Sequence, residues 1–280
     1  MNNNINIFLF SNDNAISIKT KKILNQKLIS NNLNVVNCVK NSNLIIVIGG
    51  DGTMLSAIRK YKFLNIPFIG VNTGNLGFLT GYSPDNIENL INDLIHKKYV
   101  KEKHFLLKVH AHTNQNKILT SYAFNEIIIK HIQPSLMSAK ININNNFFNK
   151  YSGDGLVIST PIGSTGYAIW LGASAIHSLL NVFQITPVAP NDSSINRPFN
   201  HSIIVPDNTV LDIEILNSKK SKIIVASDGK NICNMNNFDC NNFISNLKIL
   251  KSDYFVELLK PIDDDFFIHY KNKIIDKISK

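Results

Sequence analysis

The sequence is poor in cysteine: Cys38, Cys233 and Cys240 are the only three in 280 residues, and no two form a CxxC pair. A disulfide framework needs a dense, even set and a zinc cage needs clustered thiols, so both are excluded and reduced thiols are expected. Long uncharged apolar runs are missing too, and nothing approaches the roughly twenty residues that span a bilayer. Met1–Asn4 leads straight into strand-like residues without a basic stretch or cleavage site. No leader is expected, and the protein is expected to stay in the cytoplasm, away from membranes. A basic block interleaved with aromatics is absent as well. The 29 Lys and Arg against 20 Asp and Glu give a net charge of +9, but they are spread along the chain. Nucleic acid is thereby excluded as a partner, and what remains is a mild pull on anionic small molecules. Neither an internal repeat nor a low-complexity linker is present.

What is present is 44% hydrophobic residues, enough for two cores. Residues 1–98 alternate apolar β-type runs with helical patterns: Ile5–Phe10, an amphipathic stretch from Ala15 to Ile29, Val35–Val39, Leu44–Ile48, Ile66–Val71, and a helix opening at Ser83–Pro84. This rhythm predicts an open α/β sheet. Residues 99–260 read as many short strands, hence a largely antiparallel β domain, interrupted by one helical island from Thr165 to about Leu180. The tail, 261–280, is expected to return to the first domain.

Three segments carry chemistry. Leu44–Ile48 runs into Gly49-Gly-Asp-Gly-Thr53, a buried strand ending in a glycine turn at the mouth of a helix. Such a turn exposes main-chain N–H groups to phosphate and holds the Asp51 carboxylate beside them. The lysine of GxxxxGK[ST] is missing, so this is not a Walker loop. Read as a plain turn, Asp51 would only cap the helix. Asn72-Thr-Gly-Asn-Leu-Gly-Phe-Leu-Thr80 follows another strand and should lie on the same sheet edge. Tyr151–Tyr167 brackets a strand with two turns rich in glycine and hydroxyls and contains Asp154. His110 and His112 are read as a solvated strand face, and Asp263–Asp265 as a solvated turn or helix start.

Taken in order, GGDGT at 49–53, NTGNLGFLT at 72–80, Asn125-Glu126, GDGLVISTPIGSTGY at 153–167, Gly172–His177, Arg197-Pro198 and Ser227-Asp-Gly229 resemble the NAD kinase family. GGDGT alone is shared with phosphofructokinases and diacylglycerol-type lipid kinases, while its combination with GNLGFLT, NE and GSTGY is much more specific. The resemblance implies an N-terminal α/β nucleotide-binding domain followed by a β-sandwich-like domain in a homodimer or homotetramer. The implied activity is transfer of a phosphoryl group from ATP to the adenosine-ribose 2′-hydroxyl of NAD.

Residue by residue, the resemblance implies that Asp51 is the catalytic carboxylate. NAD would be held by Gly52, Asn125, Glu126, Asp154, Thr165, Gly166, Tyr167 and Asp228. The triphosphate would be held by Gly49, Gly50, Thr53, Asn75 and Gly77, with Mg²⁺ arriving on ATP and no metal cage in the protein. The chain departs from the family pattern in three places. Gly166 stands for the usual Ala, Trp170 stands for a small residue and is expected to pack in the core, and Asn191–Asn196 looks one residue longer than usual. A lipid kinase and a degenerate NAD-binding protein are the competing functions. The Asn125-Glu126 pair and the intact GGDG argue against them.

Overall fold

A computed structural model describes residues 5–74, 77–192, 197–216, 223–236 and 244–276. Asn75 and Cys240 lie outside them. The chain divides into two units, residues 1–104 with 254–280, and residues 105–253.

In the first unit Leu44–Ile48 consists of five apolar residues, all buried, as a parallel strand covered on both faces requires. It pairs in parallel with Asn6–Ser11 on one side and Phe68–Val71 on the other. Asn34–Val35 lies beyond Asn6–Ser11, and Leu258 of the strand Ile244–Pro261 is opposite Phe68. From its first strand the chain therefore goes outward in one direction and returns on the opposite side. The reversal falls between Asn6–Ser11 and Leu44–Ile48, and ligands of open α/β sheets gather at the carboxyl ends of the strands at such a point. Helices Ala15–Ser30 and Ile87–His96 bury Leu24, Leu28, Leu90 and Leu94 against Ile7, Ile46 and Ile69. The entry to Ile87–His96 is built as its sequence suggests. Ser83 and Asn86 form a reciprocal capping box around Pro84, and Lys97 closes the helix in the left-handed conformation at φ 55°.

The second unit is antiparallel. Its hub is Asn146–Ser159, which pairs with Glu126–His131, Met137–Ile143 and Val182–Pro190. Inward-facing Ile127, Ile129, Tyr151, Leu156, Ile158 and Phe183 supply much of the core. Ile223–Ser227 continues the sheet beside Glu126–His131 and turns into Lys230–Asn231 through Asp228-Gly229. Both turn residues have positive φ, 46° and 74°, the two-residue reversal whose twist suits a hairpin.

Two expectations fail here. The helical island from Thr165 to Leu180 is replaced by two short 3₁₀ turns, Ile162–Thr165 and Ala168–Leu171, with no further helix before Val182. Gly163, Gly166 and Gly172 fall within ten residues, which removes helix propensity, and Gly172, at φ 79°, terminates the second turn. Trp170 is 71% exposed, because the short turn holding it presents only Ala168 to the interior. The indole is not core.

Candidate functional site

The first cluster lies in the first unit. Leu44–Ile48 delivers the glycine loop to its carboxyl end, and Asp51 is the first residue of helix Asp51–Tyr61. Its carboxylate is fixed by main chain: Oδ2 accepts the Phe78 N–H at 3.0 Å and Oδ1 the Leu79 N–H at 3.1 Å. A helix N-terminus adds a favourable field for an anion. Gly77 is required by contact, since a Cβ there would sit 2.1 Å from Asp51 Oδ1. Gly49 is required in the same way, by the Thr53 side chain. Gly50 and Gly52, in contrast, would meet nothing within 4 Å, so the loop is open where a ligand would approach it. The Thr53 N–H turns back onto the Gly50 carbonyl at 2.9 Å. The five glycine-loop residues and Gly77 are therefore gathered around one carboxylate.

Three partners in this cluster were not legible in the motifs. Asn12, at the end of the neighbouring strand, donates its amide N–H to Thr53 Oγ1 at 2.9 Å. Ser17 and Thr73 join their hydroxyls at 2.7 Å. Lys273, from the last turns of the chain, places its ammonium 2.7 Å from Asp51 Oδ2.

A second cluster lies in the second unit, at the ends of three adjacent strands. Glu126 opens its strand opposite Ser159, the last residue of the hub strand, and Ser227 ends the next strand opposite Ile127. Glu126 Oε2, Asn125 Oδ1, Ser159 Oγ and Ser227 Oγ are all buried without a hydrogen-bond partner among the described residues. A buried polar atom left unpaired costs about 1–3 kcal/mol. Glu126 and Ser159 are cross-strand neighbours on one face and Asn125 adjoins Glu126 beside Gly166, so these three mark a surface shaped to be completed by a polar ligand, whereas Ser227 shares the face of Ile127. Burial, and secondarily the Asp228 carboxylate, push the Glu126 carboxyl up to about 8.

Asp228 organises this cluster through the backbone. Oδ2 accepts the Phe124 N–H at 2.8 Å, and Oδ1 accepts those of Asn125 at 2.7 Å and Glu126 at 3.3 Å. These bonds divert the chain at Phe124–Asn125, between the strands Ile118–Ala123 and Glu126–His131. Thr160 holds the same bend from the other side, its hydroxyl donating to the Phe124 carbonyl at 2.6 Å. A Cβ on Gly163 would lie 2.0 Å from the Asn125 carbonyl, and one on Gly166 would lie 3.4 Å from Glu126 Oε2. Thr165 is buried, with its hydroxyl on the Ile162 carbonyl. Asp154 and Tyr167 line an open cavity of about 640 Å³ with Ile128, Lys130, His131 and Val188. Asn125, Glu126, Gly166 and Asp228 are thus brought together, while Asp154 and Tyr167 meet at this cavity.

Of the residues given no role, His110 bonds Thr120 Oγ1 through Nδ1 at 2.9 Å. Asp265 caps the helix Phe266–Tyr270. Among the described residues no three His, Cys, Asp or Glu side chains converge as a metal cage.

Comparison with known proteins places these clusters in a family. The model of the ATP-NAD kinase N-terminal domain matches residues 10–99, and that of the ATP-NAD kinase C-terminal domain matches residues 124–256. An NAD kinase of Finegoldia magna is 36% identical over 269 residues, which is 92% of this chain and 98% of that protein. One from Streptococcus mutans is 34% identical over 199 residues, 70% of this chain and 71% of that protein. The fold is shared with an NAD kinase from Archaeoglobus fulgidus solved in complex with ATP, with a TM-score of 0.75 and 23% identity across 98% of this chain and 99% of that one. It is shared too with yeast NADH kinase complexed with NADH, with a TM-score of 0.80 and 18% identity across 99% of this chain and 89% of that one. Matched in both units by the family's two domains, and by one relative along nearly its whole length, the chain belongs to the NAD kinase family.

Proposed function

We propose that the chain transfers the γ-phosphoryl group of ATP to the adenosine-ribose 2′-hydroxyl of NAD, with Asp51 as the group that orients and deprotonates that hydroxyl. The observation that carries this reading is the Asp51 carboxylate, held by two main-chain N–H groups beside a glycine loop that opens on free space. Phosphoryl transfer asks a protein for positioning and charge neutralisation more than for covalent chemistry. Gly50 and Gly52 take the triphosphate against their main chain, with Gly49, Thr53 and Gly77 shaping the loop. Asn75 is proposed as a further phosphate contact. A divalent cation, Mg²⁺ by this reading, would come with ATP and screen the phosphate charge.

The acceptor is held by the second unit. The unpaired oxygens of Asn125 and Glu126 take polar groups of the NAD adenosine, supported by Asp228, while Thr165 and Gly166 line the same pocket. Asp154 and Tyr167 contact the dinucleotide at the adjoining cavity. A sugar nucleotide completes the unpaired atoms of Asn125, Glu126 and Ser159, whereas an apolar lipid acceptor would leave them unpaired. The same reading includes a homodimer or homotetramer, supported by Tyr167, Trp170, Leu179 and Leu180, each more than 40% exposed on one short stretch of chain. It also places the protein in the cytoplasm, where the free thiols Cys38 and Cys233 stay reduced. Purified protein given ATP, Mg²⁺ and NAD is expected to form NADP, and none of the phosphorylated lipid when diacylglycerol replaces NAD. Lipid product without NADP would overturn the reading.

A further inference from the structure

The chemistry proposed above needs positive charge beside the transferred phosphate, yet neither glycine segment supplies any. No lysine or arginine occurs between residues 43 and 58 or between 66 and 82. The cation found at the site comes from the far end of the chain. Lys273 places Nζ 2.7 Å from Asp51 Oδ2 and 4.7 Å from the centre of the Phe78 ring.

This contact is not needed to orient Asp51, because the Phe78 and Leu79 N–H groups already fix both carboxylate oxygens. It is also a poor staple for the fold. The two side chains are 29% and 25% exposed, and ion pairs that open to water contribute little to stability. What the structure does fix is the backbone that carries the lysine. Lys260 pairs with Asp264 at 3.0 Å and Glu102 at 3.4 Å, and His269 bonds Asp264 at 2.7 Å. Asp265 caps the helix that follows, and Phe266 and His269 pack against the Phe78 ring. A firmly anchored segment thus carries one long cationic side chain to the carboxylate, joined to it by an exchangeable bond. That bond shares Oδ2 with the Phe78 N–H, so opening it frees an acceptor site on Oδ2 in addition to the one left on Oδ1 beside Leu79, and it removes a positive charge that lowers the basicity of Asp51.

Resting on the NAD kinase reading, we propose that Lys273 is a phosphate-binding cation of the transfer site, stored on Asp51 in the free enzyme and passed to the triphosphate when ATP binds. The exchange moves a positive charge onto the group that is accumulating negative charge and uncovers the base in the same motion. Phosphate, with more charge and more acceptor oxygens than one carboxylate, is the stronger partner for an ammonium.

The test uses the full-length protein, its Lys273→Met and Lys273→Arg variants, Asp51→Asn, and the double variant. Lys273→Met is expected to lower kcat by about tenfold or more, with KM for NAD and Tm nearly unchanged, and Lys273→Arg to restore most of the rate. Calorimetry with Mg²⁺ and the non-transferable β,γ-imido analogue of ATP gives an arm independent of turnover. Asp51→Asn frees the ammonium and should tighten the analogue by about threefold or more, a gain that Lys273→Met removes. The proposal is overturned if Lys273→Met keeps or exceeds the wild-type rate, or if Asp51→Asn fails to tighten the analogue. If the wild-type protein makes no NADP, the functional reading fails, and the calorimetric arm still decides whether Lys273 binds triphosphate.

Discussion

The Asp228 carboxylate accepts the main-chain N–H of Asn125 at 2.7 Å across 103 residues of sequence. That one bond joins a hairpin turn to the bend that presents Asn125 and Glu126. It explains why a solvent-loving residue in an Asp-Gly turn matters to a pocket built on a different strand. Asp228→Ala is expected to lose three backbone acceptor contacts, destabilise the second unit by about 1–3 kcal/mol, and raise KM for NAD more than KM for ATP. Thermal melts and steady-state kinetics on one variant check both, and an unchanged KM for NAD would remove Asp228 from the site.

Glu126 gives a pH signature. Burial holds its carboxyl at about 8, against about 4.5 when exposed. Between these values the folded protein carries a proton that the unfolded chain has lost. Stability attributable to this group is therefore full at low pH and declines as pH rises through that window. Glu126→Gln should abolish the decline, leaving the free protein more stable than wild type at pH 8 and above by about 4–5 kcal/mol, with the gap closing towards pH 4.5. The variant should also bind NAD more weakly, since the amide cannot replace both carboxylate oxygens. Denaturant titrations across pH would sink this account if wild type and variant ran parallel.

Gly77 tests how finely Asp51 is placed. A methyl group there would meet Asp51 Oδ1 at 2.1 Å and Cγ at 2.8 Å, so Gly77→Ala must displace the carboxylate from the Phe78 and Leu79 N–H groups. Misplacing a reacting group by about 1 Å costs on the order of 10²-fold in rate. The expected result is a kcat loss of that size with KM for NAD little changed. Near-normal turnover would mean that the carboxylate position is not critical.

Trp170, at 71% exposure, leaves no cavity when truncated. Trp170→Ser is expected to shift Tm of the dissociated chain by less than about 2 °C, in line with surface substitutions, and to weaken self-association. Sedimentation over a concentration series measures the second effect. Unchanged association would remove Trp170 from any subunit contact.

Much of this molecule is legible in local chemistry. Leu44–Ile48 reads as a doubly covered parallel strand because nothing in it could face water, and Ser83-Pro84 with Asn86 spells out a helix entry. The glycine loop is legible for the same reason: only a backbone that must be approached closely uses glycine so densely. The helix expected from Thr165 was misread because the spacing of small apolar residues there imitates a helical face. The glycines at 163 and 166 serve close approach instead, most plainly where Gly163 abuts the Asn125 carbonyl, and Gly172 supplies the left-handed turn end. Asn12 and Lys273 lay beyond sequence reasoning altogether. Each reaches the loop only through the tertiary fold, and no motif spacing links residue 273 to residue 51.

The most direct test of the account is Asp51→Asn in a single-turnover experiment with ATP, Mg²⁺ and NAD, with NAD binding measured in parallel. The amide keeps the shape of the carboxylate and cannot accept the hydroxyl proton. The account predicts loss of NADP formation, with NAD affinity retained within about tenfold. A variant that still forms NADP at close to the wild-type rate would contradict it.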